Sequence, residues 1–108
     1  MSETLERLYA AVADKKTAPT EGSYTSYLFE RGVDKILKKI GEECAETILA
    51  AKNGSEVETV YEVSDLFYHL IVLMAEKEIS LDAVMAELER RTVKISACEP
   101  NHKENSTK

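Results

Sequence analysis

Apolar residues recur at the 3.6-residue spacing of an α-helix through four segments of this 108-residue chain. The four predicted helices cover about residues 3–15, 33–52, 55–77 and 80–95. The chain has only four glycines and two prolines, which argues against a turn-rich β-sandwich. We therefore predict an all-α fold: a single four-helix bundle-like domain over residues 1–98, followed by a polar, mobile tail over residues 99–108.

Residues at the predicted helix ends match known capping patterns. Gly54 suits the left-handed conformation that follows many helices. Ser55 and Glu58 form a capping box at the start of the third helix, and Ser80 is suited to cap the fourth. The short interval between the second and third helices predicts that they are antiparallel neighbours.

The segment between the first two predicted helices, residues 17–32, departs from this pattern. Pro19 and Gly22 interrupt the helical spacing, and hydroxyl groups are abundant in the run Ser23-Tyr24-Thr25-Ser26-Tyr27. We predict a long hydroxyl-rich loop with room for one short helical stretch around residues 24–30. A connection of this length in so small a domain is often functional.

The chain is acidic, with a formal net charge of −6 at pH 7. Such a surface repels nucleic acid and bare polyphosphate unless basic residues cluster or a cation mediates, so we expect no nucleic-acid partner. The longest apolar run, residues 70–75, is too short to span a bilayer, and the N-terminus lacks the segments of a signal peptide. Cys44 and Cys98 provide neither a disulfide framework nor a zinc spacing. We expect a soluble, cytoplasmic protein with no membrane partner.

The third predicted helix is apolar around most of its circumference. Leu66 and Leu73 lie away from its main stripe, and Tyr61 and Tyr68 point in another direction. Such a helix is either the centre of a monomeric bundle or part of a dimer interface, and the spacing leaves both interpretations open.

Acidic residues are concentrated on the second and third predicted helices, opposite their main apolar stripes. Glu43 and Glu46 are three residues apart, beside Glu42, and therefore share one helix face. Glu62 and Asp65 form the same kind of pair on the next helix. If the two faces meet, four carboxylates converge at the same depth in the bundle.

Converging carboxylates repel one another and must either raise their pKa values or bind a cation. Oxygen ligands without a thiolate favour Mg²⁺, with Mn²⁺ as an alternative, and a bound Mg²⁺ would let an acidic protein bind a polyphosphate. The spacing is also compatible with two solvated acidic faces. Asp65 argues against that alternative, because it is a poor helix former flanked by Leu66 and Phe67.

Basic residues and one histidine lie near these acidic pairs. Lys35 and Lys39 share the acidic face, where they would either hold phosphates or form ion pairs with the glutamates. His69 follows Asp65 by one turn and is either a hydrogen-bonded core histidine or a metal ligand, although Mg²⁺ disfavours imidazole.

The pattern Glu42-Glu43-x-x-Glu46 followed by Glu62-x-x-Asp65 resembles the metal-binding signature of the all-α nucleotide pyrophosphohydrolases, the MazG-like superfamily. A narrower similarity, to the phosphoribosyl-ATP pyrophosphohydrolases of histidine biosynthesis, lies in residues 22–32, 34–43, 50–53 and 61–70. The resemblance extends over about residues 3–95.

The resemblance implies Mg²⁺-dependent hydrolysis of 1-(5-phosphoribosyl)-ATP to 1-(5-phosphoribosyl)-AMP and pyrophosphate, the second step of histidine biosynthesis. It implies a small-molecule nucleotide substrate and a homodimer. The Mg²⁺ ligands that it implies are Glu43, Glu46, Glu62 and Asp65.

The resemblance also implies roles for the neighbouring residues. Glu42 and Glu43 are the expected catalytic residues, with Glu42 either supporting the metal ligands or acting as the base that orients the attacking water. Lys35 and Lys39 would hold phosphates. Hydrogen bonds to phosphate or ribose are expected from Ser23, Tyr24, Thr25 and Ser26.

Two other functions stay open. One is a house-cleaning nucleoside triphosphate pyrophosphohydrolase with the same metal site, from which residues 22–32 distinguish this chain. The other is a non-catalytic helical dimer that binds a partner through its acidic face.

Overall fold

The computed structural model describes residues 2–97, and over that range the chain is helical with no strand. Its helices are α1 (Ser2–Thr17), α2 (Tyr24–Arg31), α3 (Val33–Lys52), α4 (Glu56–Glu76) and α5 (Leu81–Ser96). The all-α prediction is confirmed. The short stretch anticipated near residues 24–30 is a full two-turn helix, so residues 2–97 form five helices, and the preceding loop is shorter than expected. The tail predicted over 99–108 lies outside the described residues.

Serine side chains cap the beginnings of three of these helices, two of them, at Ser55 and Ser80, as the capping patterns predicted. The Oγ of Ser55 accepts a hydrogen bond from the Glu58 amide at 3.1 Å, and the Oγ of Ser80 accepts one from the Ala83 amide at 3.1 Å. Ser23 caps α2 in the same way. Gly54, with φ of 78°, occupies the left-handed region in the three-residue connection between α3 and α4.

The core forms around α4, which packs against α1, α2 and α3. Its buried apolar members are Val12, Leu28, Ile36, Ile71, Val72, Ala75 and Leu81. The end of α1 is fixed to the end of α4, because the Lys16 ammonium donates to the carbonyl oxygens of Ala75 and Glu76. None of the helices between residues 2 and 97 is long and apolar enough to cross a membrane.

The apolar stripe of α3 is buried only in part. Ile36 is buried and Ile40 is packed against the core, but Leu37, Cys44 and Ile48 are exposed, Ile48 by 61%. Glu43 is also buried, on the side of α3 that faces Glu62 and Asp65 of α4. The 3.6-residue spacing predicts which residues share a helix face, and it does not determine how much of that face the same chain buries.

Candidate active site

Glu43 lies at the centre of a group of carboxylates between α3 and α4, with only 5% of its surface exposed. One carboxylate oxygen of Glu43 lies within 4.8 Å of oxygens from Glu46 and Glu62. Within the same distance, Glu43 also groups with Asp65 and His69. The structure therefore brings the four predicted ligands together as two groups that share Glu43. We call Glu43, Glu46, Glu62 and Asp65 the carboxylate cluster.

Two oxygen atoms of the carboxylate cluster are buried without a hydrogen-bond partner among the described residues. They are Oε1 of Glu43 and Oε1 of Glu62. A buried carboxylate oxygen is costly unless a donor or a cation compensates for its lost hydration. These two atoms therefore require a proton or a positive ion.

The titration of the cluster reflects the same crowding. Burial, followed by the negative charge of Asp65, raises the pKa of Glu43 to about 7. Burial also raises the pKa of Glu62. Both shifts show that negative charge is disfavoured here in the absence of a cation.

The chemistry of the donor set fits a hard divalent cation. All four residues of the carboxylate cluster offer carboxylate oxygen, which is the ligand type of Mg²⁺ and Mn²⁺. The unpartnered oxygens of Glu43 and Glu62 supply the observation that such an ion would explain.

The predicted phosphate-binding lysines occupy different positions. The Lys39 Nζ lies 3.1 Å from Glu42 Oε1 and 3.9 Å from Glu43 Oε2, at the edge of the carboxylate cluster. Lys35 instead lies over the ring of Tyr27, with its Nζ 6.0 Å from the ring centroid. Only Lys39 of the two is placed beside the carboxylates.

Glu42 is not brought into the carboxylate cluster. Its side chain is 44% exposed and pairs with Lys39. That hydrogen bond holds the pKa of Glu42 below its usual value, so Glu42 carries a negative charge at neutral pH.

The four hydroxyl residues of the predicted substrate loop divide into two pairs. Ser23 and Ser26 serve the turn itself: Ser23 accepts from the Ser26 amide, and the Ser26 Oγ accepts from the Thr20 amide. Tyr24 and Thr25 reach across to α4. Their hydroxyls contact His69 and Tyr68, respectively, so this segment is joined to the helix that carries Glu62 and Asp65.

His69 is the site residue whose surroundings the sequence did not reveal. Its ring is 2% exposed, with Nδ1 2.9 Å from the Asp65 carbonyl oxygen and Nε2 3.0 Å from the Tyr24 hydroxyl. The spacing of four residues signalled the contact with Asp65. No local signal reveals the contact with Tyr24, which lies 45 positions away.

A groove adjoins this arrangement at Tyr24. It has a volume of about 990 Å³ and lies between the end of α1 and the beginning of α2. Its lining includes Lys15, Tyr24, Tyr27, Phe29 and Glu76. Tyr24 is thus shared by the groove and by the hydrogen-bonded chain that leads to the carboxylate cluster.

Comparison with known proteins supplies the family. The family model described as phosphoribosyl-ATP pyrophosphohydrolase matches residues 5–92. A phosphoribosyl-ATP pyrophosphatase of Listeria welshimeri is 59% identical over 92 residues, which cover 85% of this chain and 88% of that protein. A protein of the same name from Clostridium botulinum is 53% identical over 94 residues, covering 87% of this chain and 86% of its own length.

A longer relative matches only in part. The histidine biosynthesis bifunctional protein HisIE of Caldanaerobacter subterraneus is 58% identical over 89 residues, which cover 82% of this chain but 43% of that protein. The residues that the family model matches, 5–92, include all four members of the carboxylate cluster. The chain belongs to the phosphoribosyl-ATP pyrophosphohydrolase family.

Proposed function

We propose that the carboxylate cluster is the Mg²⁺ site at which this chain hydrolyses 1-(5-phosphoribosyl)-ATP to 1-(5-phosphoribosyl)-AMP and pyrophosphate. The activity follows from family membership and from the names of relatives that match along most of their length. The assignment of the site rests on one observation, the buried and unpartnered oxygens of Glu43 and Glu62. We also assign the reaction to the cytoplasm, in keeping with its biosynthetic role.

Glu43, Glu46, Glu62 and Asp65 would hold the ion, with Mn²⁺ as an alternative to Mg²⁺. When bound, the ion would supply Lewis-acid polarisation of the phosphoryl oxygens and of the attacking water. The chain would supply the alignment of the ligands. The bound ion would then relieve the mutual repulsion of the carboxylates, which adds to the effect of burial in raising the pKa of Glu43.

Lys39 and Glu42 are suited to auxiliary roles at the edge of the cluster. The Lys39 ammonium lies at the edge of the carboxylate cluster, 3.9 Å from Glu43, where it would meet a phosphate oxygen of a substrate held by the ion. A carboxylate with a lowered pKa is a weak general base, so we assign Glu42 to orienting the attacking water. Lys35 would meet phosphate only if its side chain left the Tyr27 ring.

The second part of the proposal is a homodimer. Large apolar side chains of α3, α4 and α5 are exposed on the single chain, among them Ile48, Leu49, Val60, Tyr61, Phe67 and Leu88. Exposed apolar surface is typical of interfaces where it is contiguous. A second copy fits this surface, because the same apolar stripes are available from both chains.

The test is a pyrophosphate-release assay with 1-(5-phosphoribosyl)-ATP, with Mg²⁺ and with EDTA. We expect activity only with Mg²⁺, and we expect Glu62→Gln to reduce it by roughly a hundredfold or more, because a ligand is lost. Glu56→Gln is the matched control, since Glu56 is an exposed acidic residue in the first turn of the same helix.

Three results would contradict the proposal. Full activity in EDTA would exclude the metal, and full activity in Glu62→Gln would exclude this ligand. Faster turnover of deoxynucleoside triphosphates than of the phosphoribosyl substrate would instead indicate a house-cleaning enzyme.

A further inference from the structure

We propose that His69 is a positioning residue that couples the beginning of α2 to the Asp65 carboxylate, with the Tyr24 hydroxyl completing the chain. The proposal deepens the function proposed above and rests on it, because it treats Asp65 as a ligand of the divalent cation. What it adds is an explanation of how a helix that contributes no carboxylate to the cluster influences the affinity of the metal site.

The orientation of His69 is fixed at both ring nitrogens. A carbonyl oxygen can only accept, so Nδ1, 2.9 Å from the Asp65 carbonyl, carries the hydrogen and donates it. In the neutral ring Nε2 is then an acceptor, and the Tyr24 hydroxyl donates to it at 3.0 Å. Since the ring is 2% exposed, water does not compete for either nitrogen.

The same Nδ1–H group faces the Asp65 side chain. Nδ1 lies 3.4 Å from Asp65 Oδ1, so the positive end of the N–H dipole attracts that oxygen. The neighbouring Glu43 carboxylate repels it. The position of the imidazole therefore sets where Asp65 rests in relation to Glu43, in the way that hydrogen-bonded partners orient metal ligands.

The Tyr24 hydroxyl holds the imidazole from the other side. The Tyr24 ring lies edge-on to the His69 ring, with centroids 5.8 Å apart. The next residue, Thr25, is hydrogen-bonded to Tyr68, the residue before His69. Two consecutive residues of α2 are thus bonded to two consecutive residues of α4, but only the Tyr24 bond ends on a nitrogen that leads to Asp65.

This difference allows a discriminating experiment. Tyr24→Phe removes the hydroxyl that orients His69, and Tyr68→Phe removes the parallel bond while leaving both His69 nitrogens in place. Tyr9→Phe is the distant control, since the Tyr9 hydroxyl donates to the Ile79 carbonyl at 2.7 Å. Mn²⁺ is the probe, and its affinity is measured by electron paramagnetic resonance of the free ion in the absence of substrate.

We expect Tyr24→Phe to weaken Mn²⁺ binding by roughly three- to tenfold, since a supporting hydrogen bond is lost. Tyr68→Phe and Tyr9→Phe should bind Mn²⁺ as the wild type does. Unchanged affinity in Tyr24→Phe would overturn the proposal, and so would an equal loss in Tyr24→Phe and Tyr68→Phe, which would indicate general loosening of α2.

The wild-type titration separates this proposal from the proposed function. A wild-type chain that binds no Mn²⁺ would overturn the metal site and, with it, the role of His69. A wild-type chain that binds Mn²⁺ beside an unaffected Tyr24→Phe variant would overturn the role of His69 alone. If Tyr24→Phe does not fold, as judged by circular dichroism, His69→Gln takes its place, because it removes the imidazole that faces Asp65. Wild-type Mn²⁺ affinity in His69→Gln would overturn the proposal, and so would an equal loss in Thr25→Val, which removes only the parallel bond; a loss in His69→Gln alone would support it.

Discussion

The Nζ of Lys39 lies 3.9 Å from Oε2 of Glu43, one turn further along α3. It is the positive charge that the structure places against the most buried carboxylate of the cluster. We expect Lys39→Met to raise the KM for the substrate about tenfold while leaving the fold intact, because a cation available to the phosphates is lost. Steady-state kinetics should show no comparable change in Lys38→Met, since Lys38 is exposed on the same helix. An unchanged KM in Lys39→Met would show that Lys39 does not contribute to phosphate binding.

Replacing Glu43 by Gln should have opposite effects on the stability of the metal-free protein and on its stabilisation by Mg²⁺. The substitution removes a buried charge whose Oε1 has no partner among the described residues, so the metal-free protein should gain about 1–2 kcal/mol in free energy of unfolding. The stabilisation produced by Mg²⁺ should disappear. Thermal melting with Mg²⁺ and with EDTA measures both effects. Glu42→Gln, which loses only an exposed ion pair, should change the melting temperature little; a destabilised Glu43→Gln variant would contradict this account.

The raised pKa of Glu43 predicts an unusual pH dependence of stability. Its pKa is 4.5 in an ordinary environment and about 7 in the folded chain, so folding favours the protonated form. The contribution of this group to stability is therefore complete below pH 4.5 and is lost as the pH rises through 7. Urea unfolding in EDTA should show decreasing stability from pH 5 to pH 8, and saturating Mg²⁺ should remove that decrease. If Glu43→Gln loses as much stability from pH 5 to pH 8 as the wild type does, the decrease must come from other titrating groups.

The exposed apolar surface predicts an effect on association. Ile48→Glu introduces a charge on the exposed stripe of α3 and should convert the proposed dimer to a monomer that keeps the core of α1 to α4. Sedimentation velocity measures the oligomeric state. Ala10→Glu, an equally charged change at an exposed position of α1, should leave the dimer intact. A wild-type monomer, or a dimer that persists in Ile48→Glu, would argue against this surface as the interface.

Local patterns predicted the helices and the pairing of acidic residues, because capping and periodicity depend on neighbours a few positions apart. Ser55 and Ser80 mark helix starts that the structure confirms. The proximity of Glu43 to Glu62 followed from two acidic faces on helices joined by a short connection. These features required no knowledge of distant contacts.

Contacts between residues that are distant in the sequence could not be predicted from such local patterns. The contact between Tyr24 and His69 depends on how α2 folds back on α4, and nothing near either residue encodes it. The outward stripe of α3 is a second case, since Ile48 has the same spacing whether its own chain or another copy covers it. The separation of Glu42 from the cluster depends on a helix rotation that periodicity does not determine to within one residue.

Met85 packs against the core, but the last three turns of α5, which follow it, have few tertiary contacts. Every described side chain from Leu88 to Ala97 is exposed, and a short helix without tertiary support is marginally stable in water. In a separated copy, backbone amides of this region should therefore exchange with deuterium far faster than those of α4. Association of two copies would then join the chains and also stabilise the last helix of each one.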